Sequence, residues 1–201
     1  MTTDSTWTLK RRAHVTAGGD RATYDTFSIA LHWLTAVLVL LQFVLAATWE
    51  WFGRPTERLM VVAHMSFGIV LAAVIVVRVA WRLVPGRRTP AAVSGWAGMA
   101  ARTVHVLLYC MLAAEAVLGF VLRWAGNESM SFFGLLIPPP FAPFSKPALH
   151  LVEELHELNG WAIVILAAGH AAAALYHHYV LRDPVLSRML PSGRRHLFPD
   201  G

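Results

Sequence analysis

Four apolar stretches of membrane-spanning length occupy much of this 201-residue chain. They cover residues 29–48, 61–77, 103–122 and 161–180. Each is close to the ~20 residues that a helix needs to cross about 30 Å of hydrocarbon. Only 14% of the residues are charged, well below about a quarter in a typical soluble protein, so too few polar side chains remain to cover four such helices. We therefore predict an all-α integral membrane four-helix bundle.

Basic residues concentrate in three of the segments outside these stretches: Lys10, Arg11, Arg12 and Arg21; Arg82, Arg87, Arg88 and Arg102; and Arg182, Arg188, Arg194 and Arg195. The positive-inside rule then places both termini and the middle connection in the cytoplasm. We expect a cytoplasmic arm at 1–28, without a cleaved signal peptide, a four-span domain at 29–181 with an external cap at about 124–155, and a cytoplasmic tail at 182–201. The same distribution explains the net charge of +5 without a nucleic-acid partner.

Histidines inside the spans carry the strongest functional signal, since ionisable residues are costly in a membrane. His156 and His170 are fourteen residues apart, close to four full helical turns, so both rings point to one face and stand about 21 Å apart along the axis. His64 is predicted at the depth of His156, and His32 at the depth of His170. Two facing pairs at two depths suit two stacked haems with bis-histidine ligation.

Other interpretations of these histidines are less complete. A di-metal carboxylate bundle requires Glu-x-x-His pairs on facing helices, and only Glu153 to His156 provides one. Zinc requires its ligands at a single depth. A hydrogen-bonded packing role suits any single membrane histidine better than four at matched depths. Cys110 is the only cysteine, so neither covalent haem attachment through CxxCH nor a thiolate cluster is expected.

An ordered set of short motifs resembles prokaryotic cytochrome b561 over about residues 24–191. The motifs are Ser28-Ile-Ala-Leu-His32-Trp33, His64-x-x-x-Gly68, Arg78, Phe133-Gly-Leu, His156-x-x-x-Gly160, His170, and His177-His178-Tyr179 followed by Arg182-Asp183. The resemblance implies a four-helix protein of the bacterial inner membrane that holds two b haems and exchanges electrons with quinone. It implies the same ligands, His32, His64, His156 and His170. It also implies a possible superoxide:ubiquinone oxidoreductase activity.

Further residues are candidates for specific roles. Arg78 lies fourteen residues after His64 and could pair with a propionate of the inner haem. His105 begins the third span and could replace an inner ligand or bind quinone. Glu115 is in the middle of that span and could relay protons to quinone. Lys146 in the external cap is the candidate for attracting anionic superoxide. No role is assigned to His150, His177 or His178.

The predicted function is therefore electron transfer from a periplasmic donor, with superoxide as the first choice, through the outer and inner haems to ubiquinone. The first alternative is a cytochrome b anchor subunit that relays electrons between quinone and a periplasmic dehydrogenase, hydrogenase or soluble cytochrome. The second is a non-redox channel or scaffold with structural histidines, which would be colourless.

Overall fold

The computed structural model describes residues 24–84 and 95–190. Eight of the predicted cytoplasmic anchors lie outside the described residues: Lys10, Arg11, Arg12, Arg21, Arg87, Arg88, Arg194 and Arg195. The described part contains four long helices, α1 (Thr26–Thr48), α2 (Arg54–Leu83), α3 (Gly95–Ala125) and α4 (Lys146–Tyr179). All four are long and apolar enough to cross a membrane, so the prediction of an all-α membrane bundle is confirmed.

The helices extend beyond the apolar stretches that identified them. The largest difference is in α4, which begins at Lys146, fifteen residues before the apolar stretch at 161. Ser145 at its N-cap is extended and Pro147 follows within the first turn, a position that lacks a helical acceptor for its N–H in any case. Because His150 and His156 lie on this added segment, both are helical rather than part of a loop.

Local sequence accounts for the other helix starts that matter to the site. The Asp25 carboxylate caps α1 by accepting hydrogen bonds from the Ser28 backbone N–H at 3.0 Å and the Ser28 hydroxyl at 2.7 Å. A short 3₁₀ turn, Trp49–Trp51, and Gly53 then lead into α2, where Pro55 occupies the first turn. This connection is tight, so α1 and α2 pack as antiparallel neighbours.

A small β-hairpin lies between α3 and α4. Strands β1 (Met130–Phe132) and β2 (Leu135–Ile137) are antiparallel, and Phe133 and Gly134 at the turn both have positive φ, 49° and 95°. Two positive φ values characterise the turns whose twist matches a two-residue hairpin. The hairpin packs against α2. We call this the hairpin end of the bundle, and the opposite end, where residue 24 and the chain after α4 lie, the terminal end.

Ser66 attaches the hairpin to α2. Its side chain is fully buried at 0% exposure, and its hydroxyl accepts a 2.9 Å hydrogen bond from the backbone N–H of Phe133. The same hydroxyl lies 2.7 Å from the Val62 carbonyl and 3.2 Å from the Ser131 carbonyl. The hairpin is therefore held against α2 at Ser66, two residues after His64.

The interior contains an apolar layer about midway along the bundle, formed by Leu38, Leu71, Ile75, Leu112 and Ile163. The outer surfaces of the helices expose large apolar side chains, including Leu40, Val76, Val117 and Ile165. An apolar outer surface of this extent is what a bilayer requires of helices that face lipid.

Candidate functional site

His64 on α2 and His156 on α4 face each other near the hairpin end. Their ring centres are 6.3 Å apart and the ring planes are nearly perpendicular, at 84°. Trp49, in the turn between α1 and α2, packs edge-on against His64 with ring centres 5.4 Å apart. These two histidines were predicted to lie at the same depth, and in the structure they face each other directly.

His32 on α1 and His170 on α4 form a second pair toward the terminal end. Their ring centres are 6.5 Å apart, with an angle of 70° between the planes. The two members of α4, His156 and His170, are fourteen residues apart on one continuous helix, which places the pairs about 21 Å apart along its axis. The four predicted ligands thus form two pairs, one on each side of the apolar layer.

The spacing within each pair fits an axially coordinated metal. A ring nitrogen lies about 2.0–2.1 Å from a bound first-row metal and about 1.1 Å from its own ring centre, so rings on opposite sides of one metal have centres about 6.3 Å apart. The observed separations of 6.3 and 6.5 Å agree with this arrangement. Direct hydrogen bonding between two imidazoles would need their nitrogens at about 2.9 Å, which places the ring centres closer together.

The fourth helix packs less closely on α1 and α2 than consecutive helices pack on one another. Consecutive helices pack closely, α1 on α2, α2 on α3 and α3 on α4. In contrast, α4 meets α1 and α2 through the two histidine pairs, through the edge contact of Phe43 with Trp161, and through Ile163 in the apolar layer. Among residues 24–84 and 95–190, no group of three or more His, Cys, Asp or Glu side chains could hold a metal ion. The two facing rings of each pair are the number of imidazole ligands that a bis-histidine haem requires.

Each ring of the pair near the hairpin end has a polar neighbour at its second nitrogen. His64 Nδ1 lies 3.2 Å from the backbone carbonyl of Gln42, and the Gln42 amide in turn donates to the His64 carbonyl at 3.0 Å. His156 Nδ1 lies 3.2 Å from Glu115 Oε1. Such outer partners fix the tautomer and orientation of a ligating histidine.

The pair near the terminal end has a cationic neighbour. Arg78 Nη2 lies 3.3 Å from His32 Nδ1, and its guanidinium stands over the ring of Tyr109 at 5.2 Å. His105 packs against His170 with ring centres 5.0 Å apart. The structure therefore brings Arg78 and His105 to one pair, as their predicted depths required.

The remaining predicted residues lie elsewhere. Glu115 is at the His156 side of the bundle rather than beside Arg78 and His105, where quinone binding was expected. Lys146 is exposed in the first turn of α4. His150 is exposed and forms a 3.4 Å contact with Glu154 on the same helix.

His177, seven residues after His170, lies near the end of α4. The Nδ1 atom of His177 lies 2.5 Å from Asp183 Oδ2. This contact ties His177 to the turn after α4, away from the apolar layer.

Sequence reasoning missed two polar residues next to the histidines. Gln42 on α1 contacts His64, and the Asn159 amide on α4 donates to Glu115 Oε2 at 2.7 Å. Both are uncharged amides inside apolar stretches or next to one, which was the available signal. Neither belongs to the motifs that carried the resemblance.

The structure has four membrane helices and two facing histidine pairs at different depths. This arrangement is typical of one class of protein, the b-type cytochromes that transfer electrons in membranes. The family model for prokaryotic cytochrome b561 matches residues 23–192. The chain therefore belongs to the prokaryotic cytochrome b561 family, a membership that implies binding of haem b. The expectation drawn from the motifs is confirmed at this level.

Individual relatives agree with this placement. Cytochrome b561 homolog 2 of Escherichia coli is 31% identical over 176 residues, covering 83% of this chain and 90% of the relative. Cytochrome b561 homolog 1 of the same organism is 32% identical, covering 84% and 97%. The probable superoxide oxidase CybB of Yersinia pestis is 29% identical, covering 85% and 97%.

Proposed function

We propose that this protein carries two b haems and transfers electrons from superoxide at its hairpin end to ubiquinone at its terminal end. The observation that supports it most directly is the pair of facing histidines on each side of the apolar layer, with ring centres 6.3 and 6.5 Å apart. Superoxide as donor rests on the similarity to the probable superoxide oxidase CybB. The positive-inside distribution of Lys and Arg supports a periplasmic hairpin end and cytoplasmic termini in the inner membrane.

In this proposal, His64 and His156 hold one haem and His32 and His170 hold the other. Each histidine pair would supply two imidazole ligands to a haem iron, and bis-histidine ligation favours electron transfer over oxygen binding at the metal. Haem supplies a one-electron acceptor and donor at each end. Between the ends, the Leu38, Leu71, Leu112 and Ile163 side chains exclude water and hold the helices in register.

The overall reaction needs two electrons for each quinone. Two superoxide anions each lose one electron and leave as O₂, and ubiquinone gains two electrons and two protons to form ubiquinol. Arg78 and His105 stand beside the His32–His170 pair, so they are the residues that we assign to the quinone end. Arg78 would also pair with a haem propionate, since guanidinium binds carboxylate bidentately.

Lys146 is the proposed local attractor for superoxide. It lies ten residues before His156 on α4, about 15 Å along the axis, and its side chain is exposed. Glu153, Glu154 and Glu157 share this part of the helix, so any attraction is short-ranged. Lys146→Glu should lower the rate of superoxide consumption several-fold at low ionic strength, with haem content unchanged, and the loss should shrink as salt is added.

The anchor-subunit alternative has an observation of its own. The hairpin exposes Phe133, Leu135 and Leu136, an apolar projection at the end of the bundle where a periplasmic redox partner would dock. Superoxide kinetics on the isolated protein with a soluble ubiquinone analogue separate the two proposals. An autonomous enzyme reduces quinone with superoxide alone, and an anchor subunit requires its partner.

Haem stoichiometry tests the common basis of both proposals. The pyridine haemochrome spectrum of detergent-purified protein should give two haems b per chain. His64→Ala and His32→Ala should each lower this toward one, and His150→Ala, on an exposed α4 histidine, should leave it at two. A wild-type protein without haem, purified from a haem-replete host, would overturn both electron-transfer proposals.

A further inference from the structure

Glu115 on α3 and His156 on α4 face each other between the two helices. Glu115 Oε1 lies 3.2 Å from His156 Nδ1, and the two side chains are only 22% and 23% exposed. His156 Nδ1 is buried, and within residues 24–84 and 95–190 it makes no hydrogen bond of good geometry, so its contact with Glu115 is close but not aligned.

Two glycines provide the space for this contact. A Cβ on Gly160, one turn after His156 on α4, would stand 3.1 Å from Glu115 Oε1. A Cβ on Gly119, one turn after Glu115 on α3, would stand 3.4 Å from His156 Cε1. Each helix thus carries a functional side chain and, four residues later, a glycine that accommodates the side chain of the other helix.

The second carboxylate oxygen is held separately. Asn159 Nδ2 donates to Glu115 Oε2 at 2.7 Å and also lies 2.9 Å from the Met111 carbonyl. This amide fixes the plane of the carboxylate, so that Oε1 stays directed at His156.

The two histidine pairs therefore have neighbours of opposite charge type. A carboxyl side chain adjoins His156, and an arginine adjoins His32 at 3.3 Å. An acceptor at the second nitrogen of a ligating histidine raises the basicity of the ligand, which favours the ferric form of the iron. A nearby cation favours the ferrous form, because reduction removes a positive charge.

We propose that Glu115 is a positioning residue: it accepts the Nδ1–H of His156 and holds the haem at the His64–His156 pair at a lower potential than the haem at the His32–His170 pair. This inference rests on the proposed two-haem function and adds its direction. Electrons that enter at the hairpin end then move to the terminal end spontaneously. The role differs from a proton relay to quinone, which would require Glu115 near Arg78 and His105.

The test is a redox titration of the purified holoprotein, followed at the haem α-band. Glu115→Gln keeps the shape of the side chain and replaces the carboxyl group with an amide. It should change the reduction equilibrium of one haem about tenfold, which raises the midpoint potential of that haem by about 59 mV for one electron. The other midpoint potential should be unchanged. Glu153→Gln, the same substitution at an exposed carboxylate on α4, should shift neither potential.

Single-haem backgrounds assign the shift. With His32→Ala, only the haem at the His64–His156 pair remains, and adding Glu115→Gln should raise its potential. With His64→Ala, adding Glu115→Gln should leave the remaining potential where it was. The low-spin electron paramagnetic resonance signal of the first background should also move, because the orientation of the His156 ring is altered.

Asn159→Ala provides a second variant in case Glu115→Gln lowers haem loading. It keeps the carboxylate but frees it to turn away from His156, so the same potential should rise by a smaller amount. Two retained haems with unchanged potentials in both variants would overturn the role of Glu115 and leave the di-haem function intact. Fewer than two haems in the wild type would instead overturn the di-haem function.

Discussion

Removal of the Ser66 hydroxyl in Ser66→Ala should weaken the attachment of the hairpin to the bundle. In Ser66→Ala, the backbone N–H of Phe133 loses its 2.9 Å acceptor. The site is fully buried at 0% exposure, so water cannot replace the hydroxyl. Leaving a buried donor without its partner costs about 1–3 kcal/mol.

The effect of this loss should be local. A cost of about 1–3 kcal/mol corresponds to an increase of about 5- to 150-fold in the equilibrium for opening the hairpin. Hydrogen–deuterium exchange of residues 131–135 in the detergent-purified holoprotein measures that equilibrium, because opening precedes exchange. We expect faster exchange over this segment, with no change in haem content.

A suitable control is Thr48→Ala, which removes an exposed hydroxyl that bonds within its own helix to the Val44 carbonyl. Its hairpin exchange should match the wild type. Exchange at residues 131–135 that stays within twofold of the wild type in Ser66→Ala would refute the reasoning. The hairpin would then be held by its apolar contacts, such as Phe67 with Phe133 at 5.5 Å between ring centres.

Two further predictions concern the neighbours of the histidine pairs. Arg78→Gln removes the cation 3.3 Å from His32 Nδ1 and should lower one haem midpoint potential in a redox titration, with Arg78→Lys causing a smaller decrease; an unchanged potential would argue against any electrostatic role for this arginine. Gly68→Ala places a Cβ 2.7 Å from Gln42 Nε2 and displaces that amide from the His64 carbonyl, a loss of about 1 kcal/mol. The melting temperature of Gly68→Ala should be lower than that of Gly169→Ala, whose added Cβ meets no atom of the described residues within 4 Å. Equal melting temperatures would contradict the proposed contact.

The number of membrane helices was predictable because hydropathy measures the length of chain that hydrocarbon can hold. The same property made the helix ends unpredictable. Residues 146–160 of α4 contain Glu153, Glu154 and Glu157, so they fail a test for apolarity although they continue the helix. The hairpin was also missed, since its strands are only three residues long.

The histidine pairs followed from depth and helical period. His156 and His170 share a face because fourteen residues approach four turns, and the partner helices were assigned by depth alone. The position of Glu115 did not follow in this way. Its depth was predicted, but the rotation of α3 against α4 decides whether it faces His156, and hydropathy does not specify that rotation.

The apolar layer of Leu38, Leu71 and Ile163 also separates the two histidine pairs by a region of low dielectric constant. An electron that passes between the histidine pairs crosses about 21 Å of the roughly 30 Å hydrocarbon thickness. A membrane potential of 100 mV changes the energy of a charge that crosses the whole membrane by about 2.3 kcal/mol, so about 70% of that, roughly 1.6 kcal/mol, applies to this single step. In the proposed direction, from the hairpin end to the terminal end, each electron would move against an inside-negative potential, and the rate of turnover would then fall as the membrane potential rises.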